Sequence, residues 1–190
     1  ALHLDARLTR HERLAVLELL QQRIARRLPA AYLTREAWQA GLRFYVDERV
    51  LIPRSYFAEL LAEGFAPWVD DPERIGAALD LCTGSGCLAI LMAHAFPHAR
   101  IDAADLSADA LQVAGRNVAD HGLEERIRLV QGDLFDPLGR RSYDLIISNP
   151  PYVTAQAMRD LPPEYRHEPA GALAAGADGL DIVRRILAGA

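Results

Sequence analysis

The length and composition of the chain fit a single globular protein. Its 190 residues, 51% of them hydrophobic, suffice for one full core or for one core with a small appendage. No apolar run approaches the roughly 20 residues that a membrane span requires, and no signal-peptide pattern opens the chain. The composition therefore argues against a membrane-spanning protein, and we expect a soluble, cytoplasmic one.

The net charge of −5 is unevenly distributed. Residues 1–55 carry ten arginines and six acidic residues, whereas residues 56–190 carry eleven arginines and twenty acidic residues. The basic front part is compatible with contact to RNA or to an RNA-bound partner, although a solvated helix face gives the same pattern. Neither the two cysteines nor the histidines show metal-ligand spacing, so we expect no metal site.

The front of the chain is predicted to form helices and a hairpin. Apolar residues recur at helical spacing over residues 9–28, which predicts an amphipathic helix. A second, short helix is predicted over residues 34–40, and two strands around a tight turn over residues 44–46 and 50–52. Residues 55–66 again suit a helix.

Beyond residue 76, short apolar stretches alternate with helical ones. The predicted strands are 77–81, 100–104, 127–130 and 143–148, and the predicted helices are 87–95, 108–121 and 178–187. This alternation predicts a parallel sheet covered on both faces. Such sheets bind their ligands at the carboxyl ends of the strands, near the point where strand order reverses.

A Gly-rich turn follows the first of these strands, in Asp80-Leu-Cys-Thr-Gly-Ser-Gly. Gly84 and Gly86 let the backbone turn sharply and approach a ligand, and with Ala89 they also fit the dinucleotide-binding pattern. Asp105 ends the second strand, where it suits a ribose of either NAD or S-adenosylmethionine. Asp80 favours the latter, because a carboxylate beside the turn repels a pyrophosphate and attracts a sulfonium cation.

Two further motifs end the third and fourth strands. Asp133 and Leu134 offer a carboxylate and an apolar surface to an adenine, although Asp133 equally suits a turn or a helix cap. In Ser148-Asn-Pro-Pro-Tyr152 the prolines fix the backbone, so that the Asn149 side-chain oxygen and the Pro150 carbonyl can accept two hydrogens of one planar nitrogen group. Tyr152 can stack on that plane. Alternatively, the motif is a turn that ends the strand and has only a structural role.

Together these motifs resemble the class I S-adenosylmethionine-dependent methyltransferases, and specifically the HemK/PrmC/PrmB family, which methylates the side-chain amide of glutamine. Residues 44–55 and 164–169 resemble the branch that acts on a large-subunit ribosomal protein. The resemblance implies a Rossmann-like, mostly parallel α/β sheet of order 3-2-1-4-5-7-6 with a small N-terminal helical segment and hairpin. Family members continue with a fifth strand and a closing hairpin, so we expect the C-terminal strands of the fold to be missing here.

The resemblance also implies roles for individual residues. The residues expected to bind S-adenosylmethionine are Asp80, Cys82, Thr83, Gly84, Gly86, Asp105, Asp133, Leu134 and Asn149. Those expected to bind the substrate are Asn149, Pro150, Pro151 and Tyr152, of which Asn149, Pro150 and Tyr152 are the catalytic set. We divide the chain into a substrate-recognition region, 1–54, and an incomplete methyltransferase core, 55–190.

The function expected from the sequence is therefore methyl transfer to a glutamine of a large-subunit ribosomal protein, with ribosomal RNA or an assembling ribosome as a contact of the basic front part. Methylation of an exocyclic nucleobase amine stays open, because the Asn-Pro-Pro-Tyr motif serves that chemistry too. A third hypothesis is that the chain is a fragment that binds the cofactor but has no activity. An NAD-dependent enzyme is a weaker fourth, because it leaves the Asn-Pro-Pro-Tyr motif unexplained.

Overall fold

The computed structural model describes residues 6–190. The helices are α1 (Arg10–Arg26), α2 (Ala30–Thr34), α3 (Phe57–Ala62), α4 (Cys87–Ala95), α5 (Ala108–Asp120), α6 (Ala155–Asp160) and α7 (Asp181–Gly189). The strands are β1 (Glu36–Gln39), β2 (Leu42–Tyr45), β3 (Ala77–Leu81), β4 (Arg100–Asp105), β5 (Ile127–Gln131) and β6 (Leu145–Ser148). None of the helices in this part of the chain has the length and apolar character that crossing a membrane requires.

The first helix begins where the sequence predicted. Thr9 caps α1: the Glu12 backbone N–H donates to the Thr9 hydroxyl oxygen at 3.2 Å, and the Thr9 N–H donates to the Glu12 carboxylate at 2.7 Å. The spacing did not indicate where the apolar side chains would lie. Leu14, Leu17 and Ile24 are between 54% and 75% exposed, and no residue of α1 is buried.

The hairpin lies earlier in the chain than predicted. The prediction of a helix over residues 34–40 is wrong, since most of that range is β1, and residues 50–52 form no strand. β1 and β2 pair antiparallel across Ala40 and Gly41, whose φ angles of 49° and 76° are those of a two-residue hairpin turn. Gly41 therefore turns a hairpin and does not close a helix.

The central sheet has the order β5-β4-β3-β6, and all of its pairs are parallel. Its strands lie within two residues of their predicted bounds. β3 pairs with β4 on one side and with β6 on the other, so strand order reverses at β3 and the carboxyl ends of the four strands share one edge. The order agrees with the 3-2-1-4 part of the expected sheet.

Both faces of this sheet are covered, as the alternation of strands and helices predicted. On one face, Ala78 and Ile101 pack in a cluster with α4 and with Leu61 of α3. On the other face, Leu79 packs in a cluster with Ile186 of α7. The parallel strands are therefore buried between two layers of helices, and their carboxyl ends lie together at one edge of the sheet.

Asn117 on α5 joins the hairpin to the core. Its side chain is 1% exposed, accepts the Tyr45 N–H at 2.7 Å and donates to the Tyr45 carbonyl at 3.0 Å. It also donates to the carbonyl of Ser85, in the Gly-rich turn, at 2.8 Å. One buried amide thus ties β2, α5 and the turn together through three hydrogen bonds. The division of the chain into a substrate-recognition region, 1–54, and a methyltransferase core, 55–190, stays a prediction.

Candidate active site

A cavity of about 500 Å³ opens at the carboxyl ends of the parallel strands. Its lining comes from residues within the ranges 49–55, 82–88, 104–110, 132–134, 149–151 and 169–172, together with Ile182. These ranges include the loops that follow β3, β4, β5 and β6. The cavity is therefore at the edge of the sheet where parallel α/β folds bind their ligands.

The structure brings most of the predicted site residues to this cavity. The predicted residues that line it are Cys82, Thr83, Gly84, Asp105, Asp133, Leu134, Asn149 and Pro151. Asp80, Gly86, Pro150 and Tyr152 do not line it. Tyr152 is 64% exposed, so it lies outside the cavity on the protein surface.

Asp80 lies beneath the Gly-rich turn. It is fully buried, and its Oδ2 accepts the Thr83 hydroxyl at 2.6 Å and the Ala89 N–H at 3.0 Å. Among the described residues, its Oδ1 has no hydrogen-bond partner. Burial raises the pKa of Asp80 to about 7, against the lowering effect of the two hydrogen bonds. Through these hydrogen bonds the carboxylate links the end of β3 to the turn and to the start of α4. It does not itself face the cavity.

Asp105 is the acid that faces the cavity at the turn. Its Oδ2 accepts the Gly84 N–H at 2.8 Å, and its Oδ1 accepts the Ser107 N–H at 2.9 Å. These two bonds fix the carboxylate and fasten the turn after β3 to the end of β4. Each oxygen keeps a lone pair free for a ligand hydroxyl.

The charges around the cavity are otherwise paired. Asp133 accepts from Arg185 at 2.8 Å, and Arg49 donates to Asp47 at 2.6 Å. Arg54 is paired with Glu168. Among the described residues, Asp105 is thus the one charged lining residue outside an ion pair. When the partners of the paired residues are counted with the lining, one negative charge, that of Asp105, is left uncompensated.

The two glycines of the turn have different roles. A Cβ added at Gly84 would meet no atom within 4 Å, so this glycine leaves space beside the cavity. A Cβ added at Gly86 would lie 3.1 Å from the Cβ of Ala114, on α5. Both have positive φ, 55° and 78°. Gly84 therefore leaves room for a ligand, whereas Gly86 lets α4 begin close against α5.

The Asn149 amide is free to meet a ligand. It lines the cavity, and no group among the described residues hydrogen-bonds its side chain. The chain around it is held on both sides: the Ser148 hydroxyl donates to the Leu81 carbonyl at 2.8 Å, and the Val153 N–H donates to the Leu173 carbonyl at 2.8 Å. A fixed backbone thus presents an unpartnered amide.

Sequence reasoning missed one strong contact of this region. Arg54 and Glu168 form a bidentate ion pair, with both N–O distances 2.7 Å. Glu168 is buried. The two residues are 114 positions apart, and no local pattern links residues so distant in the chain.

We predict that replacing Asp80 by Asn changes how stability depends on pH. The pKa of Asp80 in the folded protein, about 7, exceeds its ordinary value of 3.8. The native state therefore holds a proton that the unfolded state releases, and this carboxyl costs stability as the pH rises from about 4 to 7. The Asp80→Asn variant lacks that loss. Between pH 5 and 8, the free energy of unfolding of the wild type should fall relative to that of the variant by roughly 3 kcal/mol.

Urea unfolding of both proteins, without ligand, at several pH values measures this difference. Asp70→Asn, at an exposed position, is the control for the loss of one carboxylate. A difference between the wild type and the Asp80→Asn variant that stays constant from pH 5 to 8 would contradict the prediction.

Comparison with known proteins agrees with this geometry. Residues 58–164 match the family described as methyltransferase small domain. The chain is 62% identical over 187 residues to the ribosomal protein uL3 glutamine methyltransferase of Bordetella pertussis, covering 98% of this chain and 63% of that protein. It is 58% identical to the protein of the same name from Neisseria meningitidis serogroup A, covering 97% of this chain and 61% of that protein. The chain thus spans about three fifths of the length of these curated relatives.

Solved structures share the fold at low sequence identity. The catalytic domain of hMettl16 in complex with MAT2A 3'UTR hairpin 6 superposes with a TM-score of 0.57 at 18% identity, covering 99% of this chain and 66% of that one. The N-terminal domain of human METTL16 in complex with SAH gives a TM-score of 0.52 at 18% identity, covering 100% and 66%. The expected fold, a Rossmann-like methyltransferase sheet, is confirmed, and the chain belongs to the methyltransferase small domain family.

Proposed function

We propose that this protein transfers a methyl group from S-adenosylmethionine to the side-chain amide nitrogen of a glutamine in ribosomal protein uL3, of the large ribosomal subunit. The observation that carries the proposal is the unpartnered amide of Asn149, which shares one cavity with the Gly-rich turn and Asp105. The names of relatives with about 60% identity support the same substrate.

The cavity suits S-adenosylmethionine better than a dinucleotide. A volume of about 500 Å³ lies within the usual range for small-molecule sites. S-adenosylmethionine has a net positive charge, which the excess negative charge at Asp105 attracts, whereas the two phosphates of NAD would be repelled. The sequence analysis used the carboxylate of Asp80 to favour S-adenosylmethionine over NAD. Asp80 is buried away from the cavity, so in the structure it is the carboxylate of Asp105 that supports this preference.

Several lining residues then have a specific task toward this cofactor. The carboxylate of Asp105 accepts hydrogen bonds from the ribose hydroxyls, and the open space at Gly84 admits the ligand close to the backbone. Leu134 provides apolar surface for the adenine, and Asp133 accepts from its amino group while it stays paired with Arg185. Cys82 and Thr83 complete the turn.

The Asn149 motif acts on the substrate. When bound, S-adenosylmethionine supplies an electrophilic methyl group. We propose that the Asn149 oxygen, which lines the cavity, accepts one amide hydrogen of the glutamine. The carbonyl of the next residue, Pro150, which does not line the cavity, accepts the other hydrogen as the glutamine enters. These two contacts fix the nitrogen and favour positive charge developing on it. Because Tyr152 is exposed beside the cavity, its ring stacks on a side chain that enters from the surface. Transfer forms a bond between the nitrogen and the methyl carbon, breaks the bond between sulfur and methyl, and would leave S-adenosylhomocysteine. The methylated nitrogen is strongly acidic and loses its proton to water.

The partner follows from this substrate. We propose that residues 1–54, with their excess of arginine, contact the ribosomal protein or ribosomal RNA around it. Ribosomal proteins are made and assembled in the cytoplasm, so we place the activity there. No metal is required by the chemistry, and the described residues contain no group of three or more potential metal ligands.

We predict opposite consequences for the two glycines of the turn. Gly84→Ala places a methyl group in open space, so it should cost only about 1 kcal/mol of stability, for the positive φ, while it weakens binding of S-adenosylhomocysteine by about tenfold or more. Gly86→Ala collides with Ala114 and should lower the free energy of unfolding by about 2 kcal/mol. Calorimetric titration and urea unfolding measure the two effects. Unchanged ligand affinity in the Gly84→Ala variant would count against a ligand seated on this turn.

We predict that Asn149→Ala lowers kcat/KM for methylation of uL3 by about 100-fold or more, because the amide loses one of its two positioning acceptors. Incorporation of labelled methyl groups into unmethylated uL3 measures this. Gln156→Ala, at an exposed position of α6, is the matched control and should keep wild-type activity. Equal labelling by the wild type and the Asn149→Ala variant would remove Asn149 from the mechanism. Labelling of protein-free RNA or DNA in place of uL3 would favour a nucleobase amine as substrate.

A further inference from the structure

Two segments outside the parallel sheet complete the cavity lining. The front segment, residues 49–55, connects the hairpin to α3, and all of its residues line the cavity. The rear segment, residues 168–172, follows the 3-10 helix Pro163–His167 and contributes Pro169, Gly171 and Ala172 to the lining. Neither segment belongs to a strand, and among the described residues no backbone hydrogen bond joins the two segments.

One ion pair joins the two segments. Arg54 Nη1 donates to Glu168 Oε1 and Nη2 donates to Oε2, each at 2.7 Å. Among residues 6–190, these are the hydrogen bonds that link the front segment to the rear segment. The Glu168 side chain is 4% exposed and that of Arg54 is 40% exposed. A bidentate pair with one partner buried has a fixed geometry and resists screening by salt.

The front segment is anchored independently of this pair. The buried Tyr32 hydroxyl donates to the Val50 carbonyl at 2.6 Å, and the Gln39 side-chain amide donates to the Ser55 carbonyl. Val50 itself is 1% exposed. The segment therefore has a firm support on the hairpin side, and Arg54 extends from a fixed backbone.

The rear segment is anchored as well, at both of its ends. Before it, Glu164 accepts from Arg23 at 3.2 Å and from Arg27 at 2.7 Å, which fastens the 3-10 helix to α1. After it, Leu173 accepts the Val153 N–H, beside the Asn149 motif. The Arg54 guanidinium also lies over the ring of Tyr165, with 5.2 Å between Cζ and the ring centroid. The pair thus connects two supported segments and carries little of the fold itself.

We propose that the Arg54–Glu168 pair is a clasp at the wall of the cavity, which holds the front and rear segments together and slows release of the methyl donor. Arg54 and Glu168 are positioning residues: they act through the two segments and take no part in methyl transfer. The proposal rests on the proposed function in one respect, that S-adenosylmethionine or its product S-adenosylhomocysteine occupies this cavity. It adds a control of ligand residence that the Gly-rich turn and the Asn149 motif do not provide.

The dissociation rate of S-adenosylhomocysteine tests the clasp. Tritiated S-adenosylhomocysteine is bound to the wild type and to the variants Glu168→Gln, Arg54→Gln and the double variant, and is then displaced by excess unlabelled ligand. We expect each single variant to release the ligand about ten times faster, with a smaller change in the association rate. The double variant should release it no faster than either single variant, since all three lack the same contact. If the increase in dissociation rate of the double variant equals the product of the two single increases, Arg54 and Glu168 act separately, and the clasp proposal is wrong.

Hydrogen exchange without ligand provides a second measurement. Opening of the clasp should speed exchange of backbone amides in both the front and the rear segments of the Glu168→Gln variant. Glu48→Gln, which breaks the exposed Arg35–Glu48 pair, is the matched control and should change neither exchange nor ligand release. If burial makes the Glu168→Gln variant unfold, the double variant serves in its place, because it leaves no buried charge without a partner.

The two proposals fail in different ways. A wild type that does not bind S-adenosylhomocysteine contradicts the proposed function. A wild type that binds it, together with single variants that release it at the wild-type rate, contradicts the clasp and leaves the proposed function intact.

Discussion

The site depends on the hydrogen bond from the Gly84 N–H to the carboxylate of Asp105. This contact fastens the turn after β3 to the end of β4, its neighbour in the sheet. The strand order sets these two strand ends side by side, and Asp80 holds the other side of the turn by accepting from Thr83 and Ala89. The cavity therefore inherits its shape from backbone groups that are fixed before any ligand arrives, which is the condition for precise positioning.

The two sides of the cavity differ in charge and in the groups they offer to a ligand. On the Gly-rich side, Asp105 leaves one negative charge uncompensated, which suits a cationic cofactor. On the side of β6, the neutral Asn149 amide has no partner among the described residues and can accept from a neutral substrate amide. In the proposed function the cofactor is held on one side and the planar nitrogen on the other, which is the arrangement that transfer of a small group between them requires.

Local patterns in the sequence predicted much of this fold. The repeated β3-α4-β4-α5-β5 unit was found almost to the residue, because short apolar runs and Gly-rich turns are local signals. The hairpin was misplaced because Ala40-Gly41 looked like a helix end, and only the antiparallel pairing of β1 with β2 distinguishes the two. The exposure of the apolar side chains of α1 could not be foreseen either, since helical spacing shows periodicity and not what packs against it.

The contacts that escaped sequence reasoning join residues far apart in the chain. Asn117 bonds to Tyr45, 72 positions away, and Arg54 to Glu168, 114 positions away. Pairs so distant in the chain become visible only once the sheet order is known. The orientation of Asp80 away from the cavity was missed for a different reason: its partners Thr83 and Ala89 are near in the sequence, but the direction of the carboxylate depends on how α4 packs.

The central claim is that this cavity binds S-adenosylmethionine and no dinucleotide. Calorimetric titration of the 190-residue chain with S-adenosylmethionine and, separately, with NAD tests it most directly. Saturable binding of one S-adenosylmethionine per chain, with no detectable heat from NAD, is the predicted result. Absence of S-adenosylmethionine binding, or NAD binding of equal or higher affinity, would contradict the claim.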